Sequence, residues 1–265
     1  MHGQEERSTQ VRGLTDAHAH LCDPSFDEDL ADVLARAKDA GVSWIVTVGE
    51  TLEDAEKNLR RAQDCPQLLP AAGLYPTHLD VPAARQMATF IEQEQDRLFA
   101  IGEVGLDFWA VKEEPERDLQ QEIFSLFIEL GKRLGLPLNV HSRSAGRHVV
   151  RLLLDRNAAK VQLHAFDGKA STALPAVEAG YFFSIPPSIV RSRQKQKLVR
   201  ALPLSSLLLE TDSPVLGPTP GERNEPANAL LSLRAIAEIK GVSQEAIMEA
   251  VNENIRRLYG DPQPE

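Results

Sequence analysis

Hydrophobic positions along this chain follow two alternating rhythms. Short runs of apolar and β-branched residues occupy 13–20, 44–49, 68–74, 99–106, 136–141, 161–166, 181–185 and 207–211, the length and character of buried strands. Between the runs, apolar residues return every three or four positions. In the first interval Phe26, Leu30, Val33, Leu34 and Ala37 share one helical face, and Gly41 ends it. Between the fourth and fifth runs Leu119, Ile123, Leu126, Phe127, Leu130 and Leu134 do the same, with Gly135 and Pro137 as the stop. Eight strands alternating with helices predict an α/β fold, a parallel (β/α)8 TIM barrel with right-handed crossovers. The pattern fills the chain, so a single domain over 1–265 is expected, with 1–12 as a flexible tail.

After the eighth run the pattern changes. Residues 213–226 are rich in Pro and Gly and carry Arg223 and Glu225; a loop of that length in a compact domain is often functional. Residues 228–240 and 243–259 read as two further amphipathic helices packed on the outside of the barrel. There is no internal repeat and no low-complexity tract.

Composition narrows the classes. With 42% hydrophobic and 26% charged residues the chain can bury a sizeable core. A formal net charge of -10 repels polyanions at long range, so a nucleic acid must be held locally. Cys22 and Cys65 are the two cysteines, which supports neither a disulfide framework nor a thiolate zinc site and suits a reducing compartment. The first ten residues lack the apolar core of a signal peptide, and no run approaches the roughly 18 apolar residues of a membrane span. The expected location is the cytosol, with the nucleus as a second compartment and no membrane partner.

The chemistry collects at the C-terminal ends of the runs, which in a barrel share one face. Four of the seven histidines lie there: His18, His20, His141 and His164. Glu103 lies in the fourth run and Asp212 just after the eighth. Side chains two apart on a strand point the same way, so His18 and His20 form a chelating pair. One such histidine alone is more often a satisfied polar group; six groups at one barrel end make a metal site. Imidazole and carboxylate without thiolate suit Zn²⁺, Mn²⁺, Fe²⁺, Co²⁺ or Ni²⁺ better than Mg²⁺. Six ligands exceed the need of one tetrahedral ion, so two divalent ions about 3.5 to 4 Å apart are inferred, with Glu103 as the bridge. Water activated between them needs a proton acceptor, for which Asp212 is the candidate, either as base or as ligand alone.

These residues sit in the first five of six segments, in order: Asp16-Ala17-His18-Ala19-His20, Ile101-Gly102-Glu103-Val104-Gly105-Leu106-Asp107, Asn139-Val140-His141-Ser142-Arg143, His164-Ala165-Phe166-Asp167-Gly168, Glu210-Thr211-Asp212-Ser213-Pro214 and Arg223-Asn224-Glu225-Pro226. Together they resemble the signature segments of the TatD-related deoxyribonucleases, over nearly the whole chain. The stretch GYFFSIPPSIVRSRQKQK, residues 180–197, is similar to the branch called TatD DNase domain containing protein 3. The resemblance implies an amidohydrolase-like barrel with His18, His20, Glu103, His141, His164 and Asp212 on two divalent ions. It also implies hydrolysis of phosphodiester bonds in DNA by a metal-activated water; action as a 3′ to 5′ exonuclease on single strands or frayed ends, and a monomeric state, are the expectations, with endonuclease action as the alternative. One departure stands out: the family pattern Gly-x-His-Pro is here Gly73-Leu74-Tyr75-Pro76. Tyr75 can donate one hydrogen bond to phosphate but carries no charge; His78, three residues on, is either its substitute or a solvated loop residue.

Further phosphate contacts are expected from Arg143, two residues after His141, and from Arg223, whose alternative is a salt bridge to Glu222 or Glu225. Arg191, Arg193, Lys195, Lys197 and Arg200 form the densest basic run, either a rim that guides a polyanion or a solvated helix face. Trp109, Phe108 and Phe166 are the aromatic groups placed for base stacking, Phe166 fitting the core better. Two rival functions use the same sequence features: hydrolysis of a small-molecule phosphoester, amide or lactone on the same barrel, and a non-catalytic binding module. The intact ligand set opposes the second. No phosphate-cradling glycine loop, nucleophile elbow or His-Glu-x-x-His helix is present.

Overall fold

Eight strands pair in parallel in strict chain order: β1 (Leu14–Ala19), β2 (Val42–Thr47), β3 (Leu68–Ala72), β4 (Ala100–Gly105), β5 (Leu138–His141), β6 (Val161–Leu163), β7 (Phe182–Ile185) and β8 (Leu207–Leu209). They belong to a computed structural model that describes residues 13–260; the expected flexible tail at 1–12 lies outside the described residues. Beyond β8 the chain bonds back to β1. The Asp212 N–H donates to the His18 carbonyl at 2.8 Å and the His20 N–H to the Ser213 carbonyl at 2.7 Å, so the ring closes at its C-terminal rim into a (β/α)8 TIM barrel. The hydrogen-bonded ladders of β6 and β8 stop short of the apolar runs that announced them. The chain there leaves the ladder, turning through positive φ at Ala165 (42°) and Asp212 (55°).

Seven helices follow the first seven strands: α1 (Leu30–Asp39), α2 (Leu52–Asp64), α3 (Val81–Glu94), α4 (Glu114–Leu134), α5 (Gly146–Asp155), α6 (Ala170–Glu178) and α7 (Arg193–Ala201). Their ends are set by local chemistry. Thr51 and Asp54 form a reciprocal capping box on α2, and Gly135 ends α4 at φ 71°, a left-handed conformation that glycine adopts without strain. Phe26, expected in the first helix, instead sits in a short 3₁₀ turn, Pro24–Phe26, ahead of it. Among the described residues no helix is long and apolar enough to cross a membrane.

Two more helices, α8 (Ala229–Lys240) and α9 (Gln244–Tyr259), follow the long loop after β8. The expectation that both pack on the outer wall holds for α8, which contacts α7. It does not hold for α9. Its Ile255 and Leu258 form one apolar cluster with Ala17, Phe182 and Leu208, the inward-facing residues of the lower barrel, and Tyr259 stacks on Phe99 with ring centroids 4.9 Å apart. A barrel whose lower interior is apolar needs a lid at that end, and α9 provides it.

Above this plug lies a buried polar layer. Asn139 donates to the Ala17 carbonyl at 2.9 Å, Gln162 to the same carbonyl at 3.1 Å and to Ser184 at 2.8 Å, and Ser184 to Glu210 at 2.5 Å. Satisfied polar groups of this kind fix one arrangement, and the layer above them is the candidate site.

Candidate metal centre

The upper rim brings His18, His20, Glu103, His141, His164 and Asp212 together from β1, β4, β5, the ends of β6 and β8. They form two groups joined by one carboxylate. On one side the Nε2 atoms of His18 and His20 lie 3.2 Å apart, 3.4 and 3.6 Å from Asp212 Oδ1, and 3.7 and 3.1 Å from Glu103 Oε2. On the other side Glu103 Oε1 lies 2.6 Å from His141 Nδ1 and 2.8 Å from His164 Nε2. In each group the ligand atoms lie within 4.8 Å of one another. Gly105, at φ 145°, lets β4 run against the backbone of His141, where a Cβ would collide with the His141 carbonyl.

Surrounding groups orient the imidazoles. Asn139, fixed by its bond to Ala17, presents Oδ1 to His18 Nδ1 at 2.8 Å, so that nitrogen donates and Nε2 turns its lone pair inward. Asp107 does the same for His141: its Oδ2 lies 3.2 Å from Nε2, while its Oδ1 accepts from the backbone of Trp109 and Ala110 at 2.9 and 2.8 Å. Glu210 accepts from the Ala165 N–H at 2.8 Å and stands 3.8 Å from His164 Nδ1. Asp107 and Glu210 were given no role from the sequence. Strand alternation carried a signal for Glu210, two positions before Asp212 and therefore on the same face.

The electrostatics favour a cation. Burial opposes protonation of His18, yet the hydrogen-bonded Asp212 and the Glu103 charge raise its pKa to about 10. Burial likewise opposes charge on His141, and Glu103 and Asp107 prevail, raising it to about 9. Glu103 is held well below the usual carboxylate range: burial would raise its pKa, but the imidazoles of His164 and His141 outweigh it. His164 moves the other way, down to about 4, through burial and the charge of His18, whose ring stacks on it at 3.9 Å. Carboxylates that hold protons on imidazole this firmly attract a dication in their place. Glu103 Oε2 and His164 Nδ1 are moreover buried without a hydrogen-bond partner, a costly state for polar atoms. For Glu103 Oε2, which faces two imidazole nitrogens, a bound cation relieves that cost. The donor set therefore fits divalent metal binding.

The centre forms the floor of a cavity of about 700 Å³ lined by Tyr75, Arg143, Lys195 and Asp212, among others. Tyr75 occupies the cavity wall beside His141, ring centroids 5.1 Å apart; burial, and then the carboxylate Glu103, push its phenol up, so it stays a hydrogen-bond donor. Arg143 lies over the Trp109 ring, 3.7 Å from its centroid, a cation–π arrangement that holds the guanidinium at the rim. Other expected contacts are elsewhere. His78 is exposed and absent from the cavity lining. Arg223 is bound by both oxygens of Asp29, at 2.8 and 2.5 Å, and Glu225 pairs with Arg36 at 2.7 Å. The 213–226 loop is thus fastened to α1 by these two arginine–carboxylate pairs, and Arg223 is spent on the fastening. Arg191, Arg193, Lys197 and Arg200 are exposed, while Phe108 and Phe166 are buried in the core.

A parallel eight-stranded barrel with an imidazole and carboxylate cluster at its C-terminal rim is the architecture of a barrel metallohydrolase. The profile of the family described as TatD related DNase matches residues 15–260. Deoxyribonuclease TATDN3 of Homo sapiens is 47% identical over 260 residues, covering 93% of this chain and 94% of the human protein. The uncharacterized metal-dependent hydrolase YabD of Bacillus subtilis is 32% identical over 254 residues, 93% of this chain and 98% of its own. Among solved structures, YjjV, a TatD homologue from Escherichia coli, superposes with a TM-score of 0.88 at 28% identity, over 95% of this chain and all of its own. The chain belongs to the TatD-related DNase family and is a metal-dependent hydrolase acting on ester bonds.

Proposed function

We propose that this protein is a deoxyribonuclease that uses two divalent ions to hydrolyse phosphodiester bonds at single-stranded or frayed DNA ends, proceeding 3′ to 5′. The observation that carries the reading is the Glu103 carboxylate, whose two oxygens face two separate ligand groups on a cavity floor. The name of the human relative supports DNA as the substrate. Bound there, ions such as Zn²⁺, Mn²⁺, Co²⁺, Ni²⁺ or Mg²⁺ supply Lewis acidity and lower the proton affinity of water.

The chain's own residues do the rest. Arg143, preorganised on Trp109, offers a planar fork to two phosphate oxygens. Tyr75 donates one hydrogen bond from the cavity wall beside His141. Asp212, whose Oδ1 lies 3.4 and 3.6 Å from the Nε2 atoms of His18 and His20, is the carboxylate that accepts the proton of the attacking water. Asp23, Glu50 and Asp54 line the far side of the cavity and repel a second run of phosphates, which favours a chain end over a strand threading through.

Digestion of end-labelled oligonucleotides with a series of metals tests the proposal. Chelation abolishes cleavage and Mn²⁺, Co²⁺ or Mg²⁺ restores it, with a 5′ label yielding a descending ladder. Full activity in excess chelator refutes the metal role. Turnover of a small phosphoester, amide or lactone with no cleavage of DNA would move the protein to the rival substrate class.

A further inference from the structure

Lys195 differs from every basic residue around it. Its neighbours in the basic run are exposed, whereas Lys195 is 8% exposed and lines the cavity. The position follows from the pattern of α7: Lys195, Leu198, Val199 and Leu202 recur at i, i+3, i+4 and i+7, so a lysine occupies the first place in an apolar stripe. Its Nζ donates to the carbonyl of Ala165 at 2.9 Å, the residue after His164.

An ammonium has three donor protons. Among the described residues the bond to Ala165 is the one hydrogen bond that Nζ makes, and no carboxylate lies within ion-pair distance of it. An unpaired buried ammonium is costly and is kept when something else pairs with it. Burial lowers its pKa, and Glu210, Asp212 and Asp167, beyond contact, support the charge. Arg143 and Lys195 are the lysine and arginine side chains of the cavity lining. They approach from the β5 and β6 to β7 sides, where the carboxylate of the lining, Asp167, accepts from the Ser144 N–H at 3.0 Å, while Asp23, Glu50 and Asp54 line the β1 to β2 side. An anion seated on the metal centre therefore finds its cations on one side only.

We propose that the Lys195 ammonium binds a non-bridging phosphate oxygen of the substrate from the β6 to β7 side of the cavity, as the inner partner of Arg143 at the rim. The proposal rests on the phosphodiester reading above and names the residue that grips the phosphate.

The test uses the metal-loaded full chain. Lys195→Met raises KM for a single-stranded oligonucleotide roughly 10- to 100-fold, the effect of losing a charged hydrogen bond, with a smaller fall in kcat. It also reduces the logarithmic salt slope of binding by about 0.7, one phosphate contact on a single strand. Lys195→Arg recovers part of the loss, and Lys197→Met, on the exposed face of the same helix, leaves both quantities within about twofold. A wild-type measurement avoids dependence on variant folding: inorganic phosphate slows acetylation of Lys195 but not of Lys197, read by mass spectrometry. Unchanged KM and slope in Lys195→Met, or equal acetylation with and without phosphate, overturns the proposal. If phosphate protects Lys195 while no oligonucleotide is cleaved, the DNA reading fails and the phosphate grip stands. If DNA is cleaved and Lys195 is unprotected, the grip fails alone.

Discussion

The two ends of the barrel are built on opposite terms. At the lower end Phe182 and Leu208 meet Ile255 and Leu258 of α9, and Tyr259 bonds to Gln162 and Asn139; apolar surface is covered and polar atoms are paired. At the upper end four imidazoles and two carboxylates crowd together, and Glu103 Oε2 and His164 Nδ1 are buried without hydrogen-bond partners. Folding alone would not select the second arrangement, since each unpaired buried polar atom costs about 1–3 kcal/mol. The difference separates what holds the barrel together from what it does, and substitutions at the two ends should fail in different ways.

The largest effect is expected at the upper end. Glu103→Ala removes the one carboxylate shared by both ligand groups and should lower kcat by roughly 10³-fold or more, with bound metal lost and far-ultraviolet circular dichroism unchanged. Metal analysis beside single-turnover kinetics checks it; retained metal and turnover would dissolve the distinction between the ends. Leu258→Ala is the converse. Leu258 is 1% exposed, and its truncation should cost about 2–5 kcal/mol in urea unfolding while kcat of the remaining folded enzyme stays within about twofold. A kcat loss as large as that of Glu103→Ala, at equal folded fraction, would show that the plug shapes the site.

This division also decides what the sequence could reveal. The barrel was legible because strands buried on both faces read as apolar runs, and because His18, His20, His141 and His164 stand at run ends. What the runs hid was long-range pairing. Arg223 reads as a loop cation beside Glu222 and Glu225, but its partner Asp29 is 194 residues away, a distance no local pattern encodes. Asp107 and Glu210 lay inside the recognised segments, yet their work, on the far nitrogen of His141 and on the Ala165 N–H beside His164, shows only once the strands are side by side. Lys195 was hidden in another way: a run of charges masked one member that falls on the apolar face of its helix. The role of α9 escaped because amphipathic periodicity gives the buried face of a helix but not which surface it buries against.

Asp107→Asn sharpens the comparison inside the upper end. The amide keeps the shape but accepts less strongly from His141 Nε2, and loss of such an outer partner typically weakens metal affinity 10- to 100-fold. Competition with a fluorescent chelator reads the change directly, and kcat at saturating metal should move far less than in Glu103→Ala. Equal losses at saturating metal would mean that Asp107 acts on the reaction itself.

The smallest effect expected lies on the upper face but outside the cluster. His148 packs its ring edge on Phe108, 4.9 Å between centroids, and its pKa is lowered by burial and then by Arg151, Arg147 and Arg117. A histidine titrating lower in the folded state than the ordinary 6.5 takes its proton first in the unfolded chain. Its contribution to stability is therefore complete above about pH 6.5 and is lost as the pH falls through that value toward the folded pKa. In chelator, where the metal ligands contribute equally to both proteins, the melting temperature of His148→Gln should fall less steeply than that of wild type between about pH 7.5 and 5.5. Parallel slopes would remove His148 from the account. They would leave the pH response of the upper end to the imidazole and carboxylate cluster alone, where His18 and His141 bind protons well above neutrality and metal competes for the same nitrogens.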